Sequence, residues 1–351
     1  MAFSNGWKKY LLSVAYNGSH FHGVTPNPGV PTIMSHVQSA CEAFVGKDNV
    51  KDLAFSSRTD TGVHAFGNTA HVYLRRRRKQ CGEVMEPHDN IRVLKGVNHF
   101  MHYGEKSKAN LSNISSPFVK LVDVSAVKDD FHARHSAIGR TYMYHIRNPI
   151  TNNNSRNIFD NDLVWTISSG HWRSRKVYPA YPGECLLDVG KMKLAASQLI
   201  GDNVDFSAFR SAGCQSPSAI KDMKEIMIEE KIHYYDVTSE DFTIFDEFYH
   251  GRVATCGNAA EQSSIFLDGL DSHCTKIPIM QEVIIKMSAS SFLYNQVRNM
   301  VGYLVGVGTG KEDPQHTTEV LLRRQRVKYC APPNGLVLMQ VHYDQPTIEI
   351  L

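Results

Sequence analysis

At 351 residues, with 42% hydrophobic and 21% charged side chains, the chain is too long for a lone small module and too apolar for a disordered tail. Thirty-eight Lys and Arg against 35 Asp and Glu leave a formal charge of +3, too mild to diagnose a polyanionic partner unless the charge is clustered. Seven cysteines lie far apart without a CxxC pair, which argues against a secreted disulfide framework or a zinc knuckle and for reduced thiols.

Tyr10, Leu12, Val14 and Tyr16 alternate with Leu11, Ser13 and Ala15 up to Asn17-Gly18. The run is too short to cross a bilayer and predicts a first strand in a soluble, intracellular protein. Pro31 opens a helix carrying Ile33, Met34, Val37, Ala40, Cys41, Phe44 and Val45, and Gly46 closes it. A loop from Ser56 to Gly67 leads to a strand in which Ala70, Val72 and Leu74 alternate with Thr69, His71 and Tyr73. The run Arg75-Arg76-Arg77-Arg78-Lys79 that follows is either a solvated loop or an arm for phosphates.

A second set of elements begins near Val119. Thr141 to Arg147 reads as a strand, and Asp188 caps a helix through Val189, Met192, Ala196, Leu199 and Ile200 that Gly201 ends. Ile226–Ile228 and Val283–Met287 are strands, Val297, Met300, Val301, Leu304 and Val305 form a helical stripe, and Leu336–Tyr343 is a last strand. The pattern predicts an α+β chain in two halves, 1–120 and 121–351, with an acidic surface insertion at about 238–274.

The segment Ser57-Arg58-Thr59-Asp60-Thr61-Gly62-Val63-His64-Ala65 carries the most chemistry. It sets an acid beside an Arg, a Thr and a Gly in a loop, where catalytic groups concentrate. A carboxylate near a guanidinium is expected to stay ionised and to serve as nucleophile or base. Asp60-Thr61-Gly62 also spells half of an aspartic-peptidase signature, but no second Asp-Thr-Gly supplies the partner carboxylate. Taken alone, an Asp that caps a turn explains this tripeptide better.

The surrounding motifs change that balance. RTDTGVHA at 58–65, FHARHSAIGRTYMY at 131–144, GDNVDFSAFRSAGCQS at 201–216 and SFLYNQVRNMVGYLVGVG at 291–308 together resemble the TruA-type tRNA pseudouridine synthases. YNGSHFHG at 16–23 and APPNGLVLMQVHY at 331–343 add opening and closing signatures. Val24-Thr25-Pro26 departs from the Trp-Gln step usual in the family, and with the acidic insertion it suggests a eukaryotic-like member. The compartment, whether cytoplasm, nucleus or mitochondrion, is left open.

The resemblance implies two ferredoxin-like halves forming one extended mixed sheet, with helices on one face and a central basic cleft. It further implies tRNA as partner, a homodimer, and neither metal nor organic cofactor. It places the catalytic aspartate on Asp60, the tyrosine that stacks on uracil on Tyr142, and the arginine paired with the carboxylate on Arg298. Tyr144, one strand period from Tyr142, reads as core. Arg58, His64, His132, Arg134 and Arg140 are expected to contact the substrate. Further candidate phosphate contacts are Arg75 to Lys79, Arg173, Arg175, Lys176, Arg323, Arg324, Arg326 and Lys328. The implied reaction isomerises uridine to pseudouridine, with Asp60 attacking either C1′ of the ribose or C6 of an extruded base. The alternative is a catalytically silent tRNA-binding or chaperone protein of the same fold. A hydrolase using Asp60 is disfavoured by the missing second carboxylate.

Overall fold

The computed structural model describes residues 6–78, 80–108, 118–149, 162–167, 186–236 and 276–344. The acidic insertion, Lys79, Arg173, Arg175 and Lys176 therefore lie outside the described residues.

The first half runs β1 (Trp7–Tyr16), α1 (Ile33–Val45), β2 (Val50–Phe55), β3 (His64–Arg75), α2 (Asn90–Lys108) and β4 (Val119–Ala126). These strands lie in the order β4-β1-β3-β2, all antiparallel, which is the β-α-β-β-α-β arrangement of a ferredoxin-like unit. The second half repeats the plan. It runs β5 (Ala137–Pro149), the short β6 (Trp165–Thr166), α3 (Val189–Ser197), β7 (Gly201–Asp205), β8 (Ile220–Asp236), β9 (Lys276–Ala289), α4 (Gln296–Gly308), α5 (Thr317–Arg323) and β10 (Leu336–Tyr343). Its strands lie in the order β10-β5-β9-β8-β7. The two units join where β10 runs parallel to the start of β3, through Val337 beside His64 and Leu338 beside Ala65, giving one mixed sheet.

Local chemistry explains the boundaries. Thr32, not Pro31, caps α1: its hydroxyl accepts from Ser35 N and its own N–H donates to the Ser35 hydroxyl, a reciprocal capping box. Asp188 caps α3 by accepting from Lys191 N at 2.9 Å, as its position before the apolar stripe predicts. The loop expected to reach Gly67 is shorter, because β3 begins at His64. Ala65 already pairs with Tyr16 on one side and Leu338 on the other, and ladder bonds on both edges extend the strand.

Two cores follow. Tyr10, Leu12, Val14, Ala70 and Val72 pack with Val37 and Cys41 of α1 and Val97 and Met101 of α2. Val283, Ile285 and Met287 pack with Met192 and Ala196 of α3 and Met300, Val301, Leu304 and Val305 of α4. Ala65, Leu338, Tyr142 and Met287 form one row across the sheet, so both helix pairs cover the same face. No helix among the described residues is long and apolar enough to cross a membrane.

Candidate active site

Among the described residues, Tyr142 is the half-buried side chain that packs against both cores, so it marks the seam between the helix pairs. Arg140 and Tyr144 flank it at one strand period on the same strand, β5. Arg140 donates to Ser290 O and Arg134 O, both at 3.2 Å, at one end of this row. At the other, Tyr144 is fully buried, donates to Pro332 O at 2.7 Å and meets Trp165 edge-on, which makes it a core residue.

Asp60 reaches the seam from the first half. Its loop turns back through Val63 N donating to Asp60 O at 3.1 Å, with Gly62 at φ 77°, a conformation that costs a side-chain-bearing residue steric strain. Arg298 reaches the seam from the second half, in the first turn of α4. Asp60 Oδ2 lies 3.7 Å from Arg298 Nη1, with the side chains 29% and 17% exposed. At that separation the two attract as charges without sharing a hydrogen bond.

The two partners are held differently. Arg298 Nε donates to Ala331 O at 2.7 Å, its Nη1 donates to Asn295 Oδ1 at 3.0 Å, and Ala331 N donates back to Arg298 O at 3.0 Å. The carboxylate of Asp60 has no comparable tether among the described residues. Burial pushes the Asp60 carboxyl above its ordinary range, and Arg298 only partly offsets this. The pull expected of the arginine is present, but desolvation is the larger effect here.

Tyr142 meets Phe292 edge-to-face at 5.2 Å, and its hydroxyl contacts the Ser57 side chain. Burial raises the phenol to about 12, so at neutral pH Tyr142 is a neutral ring with a hydroxyl and not a phenolate base. Exposed Arg58 stands two residues before Asp60. Exposed Arg134 and half-buried His132 lie in the segment between β4 and β5; His132 Nδ1 accepts from Arg134 N at 3.1 Å, so this nitrogen orders its own loop. His64 departs from the expectation of substrate contact. It is 3% exposed, and its Nδ1 accepts from Gly18 N at 3.1 Å, which makes it a strut between the Asp60 loop and the turn after β1.

Much of the expected basic surface is already engaged. Arg75 stacks on Trp7 at 4.5 Å and donates to Asn49 Oδ1 and Asp48 O. Arg78 pairs with Glu83 at 3.0 Å, Arg324 with Asp205 at 3.0 Å, and Arg323 with Glu319. Arg77, Arg326 and Lys328 stay exposed.

Sequence reasoning passed over Tyr16, Asn68, Phe292 and Asn295. A signal existed for one of them: Asn295 stands just before the α4 stripe, where it adopts φ 58° as the residue preceding the helix.

Comparisons with known proteins show the family of the chain. The family model described as tRNA pseudouridine synthase matches residues 195–344. A relative from Cupriavidus necator, tRNA pseudouridine synthase A, is 30% identical over 346 residues, covering 96% of this chain and 92% of its own. The protein of that name from Roseobacter denitrificans is 29% identical over 348 residues, with 97% of both chains covered. A human relative, tRNA pseudouridine synthase-like 1, is 26% identical over 343 residues, covering 95% of this chain and 90% of its own. The chain belongs to the tRNA pseudouridine synthase family, whose members are isomerases.

Proposed function

We propose that this chain converts uridine to pseudouridine in tRNA, with Asp60 as the nucleophile acting on a base that has left its stack. The observation that supports this most is the meeting of Asp60, Arg298 and Tyr142 at one seam, each supplied by a different segment of chain. The reaction cuts N1–C1′, turns the base and joins C5 to C1′; the C5–H bond then breaks and N1 gains a proton, so atoms balance with no net redox change. A carboxylate that attacks and later departs suffices as covalent catalyst. Asp60 is suited to that role because its oxygens are desolvated, close to a cation and, among the described residues, not consumed by strong hydrogen bonds.

Extruding the base costs roughly a few kcal/mol. Stacking on Tyr142 returns about 1–3 kcal/mol of it. Arg58, at the mouth of the loop, contacts the RNA and helps displace the nucleotide, while Arg134 and His132 form part of the rim. Phosphate contacts of this kind supply affinity without sequence choice, so recognition rests on tRNA shape. The reading includes two halves meeting at the seam and a homodimer as the working form, which the mass of the protein in solution tests.

The direct experiment incubates wild type and Asp60→Asn with unmodified tRNA and maps pseudouridine by carbodiimide-blocked primer extension. Product from the wild type and none from the variant is expected. Tight tRNA binding without product from either protein would replace this reading with a silent binding protein.

A further inference from the structure

Behind the Asp60 loop lies a buried polar network that the mechanism above leaves unused. Asn68, on β3, is completely buried, and Tyr16 and Thr59 are 5% and 7% exposed. Thr69 N donates to Asn68 Oδ1 at 2.9 Å, which fixes the orientation of the amide. Asn68 Nδ2 must then be the donor in both its other contacts, to the Tyr16 hydroxyl at 3.0 Å and to Ser57 O at 3.0 Å. The Tyr16 hydroxyl in turn shares a hydrogen bond with Thr59 Oγ1, 2.8 Å away.

The two branches end on different parts of the site. One runs through Tyr16 to Thr59, whose neighbour along the chain is Asp60. The other holds the backbone of Ser57, whose side chain contacts the Tyr142 hydroxyl. A third restraint acts on the same loop from outside, where Val24 N donates to Thr59 O at 3.1 Å. A buried donor left unpaired keeps its full desolvation cost, so the network resists any drift of the loop that breaks one of its bonds.

From this connectivity we infer that Asn68, acting through Tyr16, Thr59 and Ser57, is a positioning residue that sets the location of the Asp60 carboxylate relative to Tyr142. The inference rests on Asp60 being the nucleophile. Asn68 touches neither substrate nor reacting atoms. Its effect falls on turnover, because a displaced nucleophile alters the approach to the transition state while the RNA-binding rim keeps its place.

The test avoids Asn68 itself, whose loss endangers folding. Tyr16→Phe, Thr59→Val and the Tyr16→Phe/Thr59→Val double variant are compared with Thr59→Ser under multiple-turnover conditions on unmodified tRNA. Tyr16→Phe and Thr59→Val each should lower kcat by roughly tenfold or more with KM unchanged. The double variant should be no worse than the worse single one, because both remove the same hydrogen bond. Thr59→Ser, which keeps the hydroxyl, should restore most of the loss. Wild-type kcat in Tyr16→Phe, or a loss seen only in thermal stability or KM, would overturn the positioning role while product from the wild type and none from Asp60→Asn left the nucleophile intact. A wild type that makes no product would overturn the nucleophile and this role together.

Discussion

The two halves contribute opposite charges to the seam and restrain them by opposite means. The second half holds Arg298 rigidly, through a backbone carbonyl, a side-chain amide and the start of a helix. The first half holds the loop around Asp60 firmly and, among the described residues, gives the carboxylate itself no hydrogen-bond tether, 3.7 Å from its counter-charge. This difference matches the role proposed for each group. A charge that only stabilises benefits from immobility, since a preorganised dipole needs no reorganisation during the reaction. A group that must form and break a bond needs its lone pairs free, and so its position is set through the chain on either side.

The sharpest way to break this comparison is to remove the immobile partner. Arg298→Gln should lower kcat by about 10²–10³-fold, the range seen when one preorganised donor is lost from a charged site. It should also move the acid limb of the kcat/KM profile. Arg298 is the influence that draws the Asp60 carboxyl down against burial. Without it burial acts alone, more of the enzyme stays protonated, and the limb shifts to higher pH. An acid limb that stays in place, or moves down, would separate the two residues energetically despite their distance.

Next in size is a stability effect at Asp60. Its folded-state value lies above the ordinary aspartate value of 3.8, so its charged form opposes folding at neutral pH. The contribution of such a group is favourable in acid and is lost as pH rises through the folded value. Asp60→Asn should therefore melt above wild type at neutral pH, with the difference shrinking as pH falls towards 3.8. A variant that melts below wild type at neutral pH would mean that the attraction of Arg298 outweighs desolvation.

How much of this was legible beforehand follows a physical line. Elements with a dense apolar period were plain in the sequence: α4 carries Val297, Met300, Val301, Leu304 and Val305, and Leu336–Tyr343 has the boundaries of β10. Helix α2 escaped because its buried stripe is thin. Val93, Val97 and Met101 recur every fourth residue, but they stand among Lys, Asn, His and Gly, where the pattern does not rise above a loop. Asp60, Tyr142 and Arg298 stand out as candidates because their motifs resemble a known family, since an isolated Asp-x-Gly reads as a turn. The Asn68 network was not legible. Its bonds join residues 16, 57, 59 and 68 across two strands and a loop, and no local spacing announces such a contact. Desolvation of Asp60 was equally hidden, because it depends on how two cores close around the loop and not on which residues stand beside it.

A smaller effect probes how the second half keeps Arg298 in place. Gly302 lies one turn along α4 from Arg298, and a Cβ there would stand 2.9 Å from Tyr329 Cβ and 3.2 Å from Cys330 N. That crossing segment delivers Ala331 O to the guanidinium. Gly302→Ala should push the segment outward and loosen Arg298, lowering kcat by roughly tenfold, because sub-ångström shifts at a catalytic pair are felt in the transition state. If kcat is unchanged while thermal stability falls, the groove serves packing alone.

The smallest expected effect concerns the basic run after β3, where neighbours in sequence have unlike surroundings. Arg75 lies on Trp7 and donates to Asn49 and Asp48, whereas Arg77 is exposed. If Arg77 contacts a phosphate, Arg77→Ala should weaken tRNA binding a few-fold and reduce the slope of log affinity against log salt by about 0.7–0.9. Arg75→Ala should leave that slope as in wild type and lower the melting temperature instead, because it removes a stacked cation and strands the Asn49 and Asp48 acceptors. Binding isotherms at several salt concentrations, together with melts of both variants, distinguish the two residues. Equal slopes for Arg77→Ala and wild type would make that part of the run a solvated loop, and an equal loss of slope at both positions would show that the Trp7 stack opens to admit RNA.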